Sequence, residues 1–282
     1  MIFLTPAKRL AKTYIKRWQR WTSNTFRSFT PADLKAVLAD LGISEGDSVL
    51  VHGSFDAFAG FKGKANDVIQ LLQAAVGEQG LLMMPTMTFT GSAVDWARSG
   101  AVFDVKRTPS RMGLLSELLR RSPGVVRSVH PTHPVACWGA DAQSAAEGHH
   151  LSKTPCGRGS PFEMLARRSG KILLLGTDIG VLTFYHYLEE IFERDFPASP
   201  FTEEVFSMHS KAANGEMRET HSRLYAPAVS RRRNLYKLVP GLKKRGNWRE
   251  RRVGGLQILL LEATGVEWVV REMIQNGEYC YD

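Results

Sequence analysis

The sequence predicts an α/β fold, with a central, largely buried mixed sheet flanked by helices. Short apolar runs recur at 47–52, 81–84, 171–175 and 256–261, as expected of strands buried on both faces. Helical periodicity fills the segments between several of them. Near the start of the chain the order is strand, loop, helix, strand, which suits a sheet built through crossovers. No period of 20–50 residues appears, so a repeat array is excluded.

Residues 7–21 pattern as an amphipathic helix, with Leu10, Tyr14, Trp18 and Trp21 near one face and Lys or Arg elsewhere. Without a small-residue cleavage site or a long apolar core, it is a poor secretory signal. It suits a membrane surface, or packing on the body of the protein or on a second subunit as a homodimer. We divide the chain into this basic segment, 1–29, and one α/β domain, 30–282. Thr30-Pro31 reads as a helix start, with Thr as N-cap and Pro at the first helical position. Leu34, Val37, Leu38 and Leu41 form its stripe and Gly42 ends it. The strand at 47–52 is followed by a loop punctuated by Gly53, Gly60 and Gly63, a helix at 67–76, and a strand at 81–84 ending at Pro85. Residues 86–110 show little periodicity and read as a long loop, which in a compact enzyme is often functional. Helices follow at 112–121 and, capped by Ser160, at 161–168, with a strand at 135–138 between them. After the strand at 171–175 comes the helix carrying Thr183, His186 and Glu189. A strand at 203–208, a hairpin turn at Asn214-Gly215, the strand at 256–261 and a last helix at 266–274 complete the series.

The chain has 282 residues, 43% of them hydrophobic, enough for one large core. The cysteines, Cys137, Cys156 and Cys280, are an odd set without metal-ligand spacing, which points to a reducing, cytoplasmic location. No apolar run approaches the ~20 residues that span a bilayer. Formal charge is +9, concentrated at Lys8–Arg20 and in a run from Arg223 to Arg252. Such blocks attract polyanions. The second run lacks the glycine–aromatic signatures of RNA-binding modules, so nucleic acid is not an expected partner.

Chemistry concentrates where the strand at 171–175 hands over to a helix. Thr183, His186 and Glu189 recur every third residue and share one face. A hydroxyl, an imidazole and a carboxylate at the carboxyl end of a strand are the parts of a proton-abstracting site, although a solvated polar face, or a core histidine tied to a neighbouring carboxylate, has the same spacing. The proline-stiffened segment 127–134 holds Arg127, Ser128, His130 and His133. It reads as a phosphate- or acyl-gripping loop, as a structural turn, or as two zinc ligands of a metal-dependent hydrolase, the last on weak spacing evidence. Neither a P-loop, nor a dinucleotide fingerprint, nor a nucleophile elbow is present.

These pieces together resemble the aminoglycoside 3-N-acetyltransferases, the antibiotic N-acetyltransferase family. The matching stretches stand in the family's order: Val51-His52-Gly53-Ser54, the segment 80–86, Phe103-Asp104 with 108–113, the segment 123–131, Pro155-Cys156-Gly157 with Ser160-Pro161, and 173–176 leading into Thr183, His186 and Glu189. The resemblance implies acetyl-coenzyme A as donor co-substrate, an amine as acceptor, and His186 acting at the transfer step. It also implies that Ser54, Thr108, Ser110, Arg111, Gly113, Arg127, Ser128 and His130 contact the coenzyme. The expected mechanism is direct transfer. His186 serves as general base, Glu189 orients its ring, and Thr183 either bonds to the thioester oxygen or helps to place the ring. The acceptor stays open. Aminoglycosides are polycations that a +9 protein repels unless Glu189, Glu190, Glu193, Asp195, Glu203 and Glu204 make the cleft acidic. Otherwise the amine belongs to a neutral or anionic amino sugar. A non-catalytic basic binding protein is the contrasting reading, against which the complete Thr-His-Glu set argues.

Overall fold

The computed structural model describes residues 27–282, and the amphipathic segment 7–21 lies outside them. The described strands are β1 (Ser48–Gly53), β2 (Leu81–Pro85), β3 (Phe103–Asp104), β4 (Val126–Arg127), β5 (Val135–Gly139), β6 (Lys171–Leu175), β7 (Phe201–Lys211), β8 (Met217–Tyr225), β9 (Arg249–Val253) and β10 (Leu256–Glu262). Seven form one sheet in the order β4-β5-β2-β1-β6-β10-β9. Its centre, β2-β1-β6, is parallel. Antiparallel pairings of β5 with β2 and of β10 with β6 extend it on either side. The expected mixed, buried sheet is therefore present.

Successive side chains of a strand point to opposite faces, and both faces here are apolar. Leu50, Met83, Ile172, Leu174 and Leu261 pack into one layer with helices α4 (Pro161–Arg167), α5 (Phe184–Ile191) and α6 (Ala263–Gln275). Val49, Val51, Leu82, Leu173 and Leu260 pack into the other with α1 (Pro31–Asp40), α2 (Ala65–Val76) and α3 (Leu114–Arg121). This two-sided burial explains why the strands read as continuous apolar runs and not as alternating ones. The cap expected for α1 is formed: the Thr30 hydroxyl accepts from the Asp33 amide at 3.2 Å, and Asp33 Oδ2 accepts from the Thr30 amide at 2.8 Å.

A second sheet, β3-β7-β8, stands apart. β7 and β8 form the hairpin that Asn214-Gly215 announced, with Gly215 at φ +90° and the Ala212 amide bonded to the Glu216 carbonyl at 2.8 Å. The 86–110 segment is more ordered than its sequence suggests. Ser92 caps a short helix, Ala93–Arg98, whose Ala93 and Val94 pack on Phe206, Met208 and Leu224 of the hairpin. β3 pairs in parallel with the end of β7. Elements this short carry no periodic signal and owe their conformation to tertiary packing.

β9, in the arginine-rich run, was also not expected as a strand. It is an edge strand joined to β10 through Gly254-Gly255, and charged side chains suit an edge. Much of the run is paired: Arg223 with Glu193, Arg233 with Glu189, Arg249 with Glu262 and Arg251 with Asp40. Among the described residues no helix is long and apolar enough to cross a membrane.

Candidate active site

The parallel strands β1, β2 and β6 end at one edge of the sheet, the place where open α/β sheets gather their ligands. β1 finishes at His52-Gly53. After β6 the chain turns at Gly176, whose φ of +64° and whose close approach to Ala57 leave no room for a side chain. Asp178 then accepts from the Gly180 amide at 2.9 Å, a tight turn forms over Ile179–Val181, and α5 begins. Its apolar face, Phe184, Tyr185 and Leu188, is buried. That anchoring fixes the rotation of the helix and so the direction of His186.

His186 Nδ1 lies 2.6 Å from Glu189 Oε2, one turn further along α5. Glu189 is wholly buried, and a buried carboxylate must be compensated. Arg233 supplies the compensation: its Nε donates to Oε1 at 2.9 Å and its Nη2 to Oε2 at 3.1 Å, while the Tyr281 hydroxyl donates to Oε1. Burial alone would raise the Glu189 pKa, but His186, Arg233 and Tyr281 together hold it below the ordinary range, so it is an anion. It therefore accepts the Nδ1 proton of His186 and leaves Nε2 with a free lone pair. Burial, helped by Arg233 and opposed by Glu189, lowers the His186 pKa, which keeps the ring neutral at pH 7. A neutral imidazole with an oriented, unprotonated Nε2 can take a proton.

His186 lines a cavity of about 380 Å³. Met87, Phe89, Gly91, Ser92 and Ala93 line it together with Tyr225, Pro227, Ser230, Arg231 and Arg233, and His133 lies beside His186. The Tyr225 ring stands 4.4 Å from the His186 ring, and its hydroxyl donates to the His186 carbonyl at 3.4 Å. His133 packs edge-on against Tyr225 at 5.6 Å.

Of the expected catalytic set, His186 and Glu189 meet as foreseen. Thr183 is buried at the start of α5, its hydroxyl 3.4 Å from the Val181 carbonyl, and does not line the cavity. Its contribution is to the shape of the turn that delivers His186. The expected coenzyme contacts fall into two groups. Thr108, Ser110, Arg111 and Gly113 gather at the amino end of α3. Thr108 accepts from the Asp104 amide at 2.9 Å, and Ser110 from the Met112 amide at 3.1 Å. The Arg111 amide bonds the carbonyl of cavity-lining Met87 at 2.8 Å, while the Arg111 side chain is exposed. Ser54 follows the end of β1, next to Gly53, which touches Leu115 of α3.

Arg127, Ser128 and His130 correct the expectation. Arg127 is buried over the Phe103 ring and bonds Thr86 Oγ1, the Thr86 carbonyl, the Val105 carbonyl and the Thr108 carbonyl, at 2.6–3.2 Å. It clamps the ends of the 86–110 segment and has no face left for a phosphate. The Ser128 hydroxyl accepts from the Val135 amide at 2.9 Å and pairs with His149 Nδ1 at 2.8 Å, fully buried. His130 is also buried, its Nδ1 accepting from the His133 amide at 3.2 Å and its ring stacked on His149 at 4.7 Å. These contacts favour the structural turn for 127–134. No group of three His, Cys, Asp or Glu side chains among the described residues is placed to hold a metal ion. Arg233, Tyr225 and Tyr281 are site residues that the sequence did not single out. Arg233 was hidden in a basic run, and the two tyrosines had no spacing relation to His186.

The model of the aminoglycoside 3-N-acetyltransferase family matches residues 50–275. The chain belongs to that family. It is 33% identical over 197 residues to aminoglycoside N(3)-acetyltransferase III of Acinetobacter baumannii, a match covering 63% of this chain and 64% of the relative, just under two thirds of that protein's length. The SPbeta prophage-derived aminoglycoside N(3')-acetyltransferase-like protein YokD of Bacillus subtilis (strain 168) is 32% identical over 173 residues, 56% of this chain and 62% of the relative. Among solved structures, aminoglycoside acetyltransferase AAC(3)-Xa superposes with a TM-score of 0.76 at 26% identity, covering 96% of this chain and 99% of that one. AAC-IIIb in a binary complex with CoASH has the same fold, with a TM-score of 0.74 at 21% identity, over 90% of this chain and 99% of that one.

Proposed function

We propose that this chain is an acyltransferase that moves an acetyl group from acetyl-coenzyme A to an amino group of an aminoglycoside or amino-sugar-type acceptor, with His186 as general base. The observation that carries this reading is the 2.6 Å contact of His186 Nδ1 with the buried Glu189 carboxylate at the wall of a cavity. Family membership and relatives named as aminoglycoside N(3)-acetyltransferases support it.

An amine acceptor is mostly protonated at neutral pH and has no lone pair for attack until a proton leaves. His186 Nε2 accepts that proton, and Glu189 stabilises the resulting imidazolium through Nδ1–H. Arg233 and Tyr281 hold Glu189 in place. Acetyl-coenzyme A supplies the activated thioester. Ser110, Arg111 and Gly113 at the amino end of α3, with Ser54 and Thr108 nearby, are the residues we assign to hold it. The Arg111–Met87 bond joins that group to the cavity wall. Buried, unpaired thiols at Cys137, Cys156 and Cys280 support placement in the cytoplasm.

The test is turnover of a His186→Ala variant, followed by release of the coenzyme thiol. A general base contributes about 10²–10⁴-fold, so turnover falls by that factor while acetyl-coenzyme A binding stays within a few-fold. Wild-type turnover by this variant would refute the mechanism.

A further inference from the structure

The cavity wall bears on the acceptor that the proposed function leaves open, and the inference below rests on that function. The lining of the cavity contains no Asp or Glu, and two of its residues are arginines. The acids expected to make the cleft acidic are elsewhere or engaged. Glu189 is buried under Arg233, His186 and Tyr281. Glu190 accepts from the Thr154 hydroxyl and the Arg158 amide. Glu193 is held by both Arg223 nitrogens at 2.7 Å, and Glu204 by Arg98 at 2.6 Å. Asp195 and Glu203 are exposed and outside the lining, as is Asp95 in the short helix at the rim. Residues 1–26 contain no Asp or Glu at all, so that segment has no carboxylate to contribute.

The three consecutive arginines point three ways. Arg233 turns inward to Glu189, and the pair offset each other. Arg232 bonds the Asp282 carbonyl. Arg231 is exposed, lines the cavity, and has no carboxylate partner among the described residues. With His133 and His186 held neutral by burial, Arg231 is, among the described residues that line the cavity, the charge without a counter-charge.

We infer that Arg231 selects an acceptor whose amine shares its molecule with an anionic group, a phosphate or a carboxylate, over polycationic acceptors. A guanidinium binds either anion in a bidentate, charge-assisted fork. A polyamine carrying several ammonium groups meets the same charge as repulsion.

The experiment compares kcat/KM for glucosamine, glucosamine 6-phosphate, glucosaminuronic acid and tobramycin, in the wild-type protein and in Arg231→Gln. Arg231 is exposed, so the variant folds, and its melting temperature is measured alongside. In the wild type at least one anionic amino sugar exceeds glucosamine by about tenfold or more, and tobramycin ranks last. The phosphate and carboxylate arms identify which anion is preferred. In Arg231→Gln the advantage over glucosamine vanishes, while KM for acetyl-coenzyme A stays within twofold. Tobramycin as the best wild-type substrate would overturn the inference and leave the proposed function standing. So would an Arg231→Gln variant that weakens acetyl-coenzyme A with the acceptor ranking intact. If none of the four amines supports thiol release that depends on His186, the proposed function fails together with the inference.

Discussion

Replacing Glu189 by Gln isolates the charge of the buried network from its shape. The carboxylate receives four hydrogen bonds: from His186 Nδ1, from Nε and Nη2 of Arg233, and from the Tyr281 hydroxyl. An amide has one oxygen to offer and presents an NH2 where the second oxygen stood. If the oxygen stays with Arg233 Nε and Tyr281, the NH2 faces His186 Nδ1. The imidazole then accepts at Nδ1 and carries its proton on Nε2, the wrong tautomer for a base. The comparable Asp-to-Asn change in the serine-protease triad lowers kcat by about 10⁴, and a loss of about 10³–10⁴ is expected here. Stability suffers too, because Arg233 is left buried without its counter-charge, at a cost of about 3–5 kcal/mol. For a chain of this size that lowers the melting temperature by roughly 6–20 °C. The assay is steady-state thiol release at a temperature where the variant is folded by circular dichroism, with a parallel thermal melt. Turnover within threefold of wild type would refute the assignment of Glu189 as the group that sets the His186 tautomer. A large loss of turnover with an unchanged melt would refute the role given to the Arg233 pair.

Other expectations follow from the same geometry. Arg127→Met removes the clamp on the 86–110 segment and strands three carbonyl oxygens, so urea unfolding should show a loss of about 2–4 kcal/mol; intact stability with lost coenzyme affinity would instead make Arg127 a phosphate ligand. His52 and His149 are buried, which lowers both from 6.5 to about 4 in the folded protein. The unfolded chain therefore binds protons at these positions that the folded chain does not. Stability is complete above about pH 6.5 and falls as pH drops toward 4, by up to about 1.4 kcal/mol per pH unit for each histidine. Urea midpoints at pH 7.5, 6.0 and 5.0 check this, and a flat profile would contradict it. For turnover, the limb on which the rate rises with pH belongs to His186 and lies below the ordinary histidine range, so kcat/KM is level around pH 7 and declines only in acid; a midpoint above 7 would mean another group is the base.

The central strands were legible because both their faces are apolar, and a run as short as 171–175, flanked by Gly170 and Gly176, suits a buried strand better than a helix. β3 and β4 span two residues each and β9 is rich in arginine, so neither length nor hydropathy marks them; they exist because a neighbouring strand offers its edge. His186 and Glu189 could be found because a helical turn brings residues three apart together, a local relation that sequence records. The rest of the network comes from 44 and 92 residues downstream of Glu189, in Arg233 and Tyr281, and no local spacing encodes such meetings. Arg127 shows a different obstacle. A guanidinium that grips a phosphate and one that grips three carbonyls look the same in sequence, and burial over Phe103 is what separates them.

The cavity is assembled from two sources. The proton-handling pair stands on a helix packed on the main sheet, whereas most of the remaining lining comes from the 86–110 excursion and the stretch that follows the hairpin. Substitutions in the second source change the shape of the pocket while leaving the helix that carries His186 and Glu189 in place. The exception is Arg233, which comes from the stretch after the hairpin yet steadies Glu189, so remodelling at that border also disturbs the proton-handling pair.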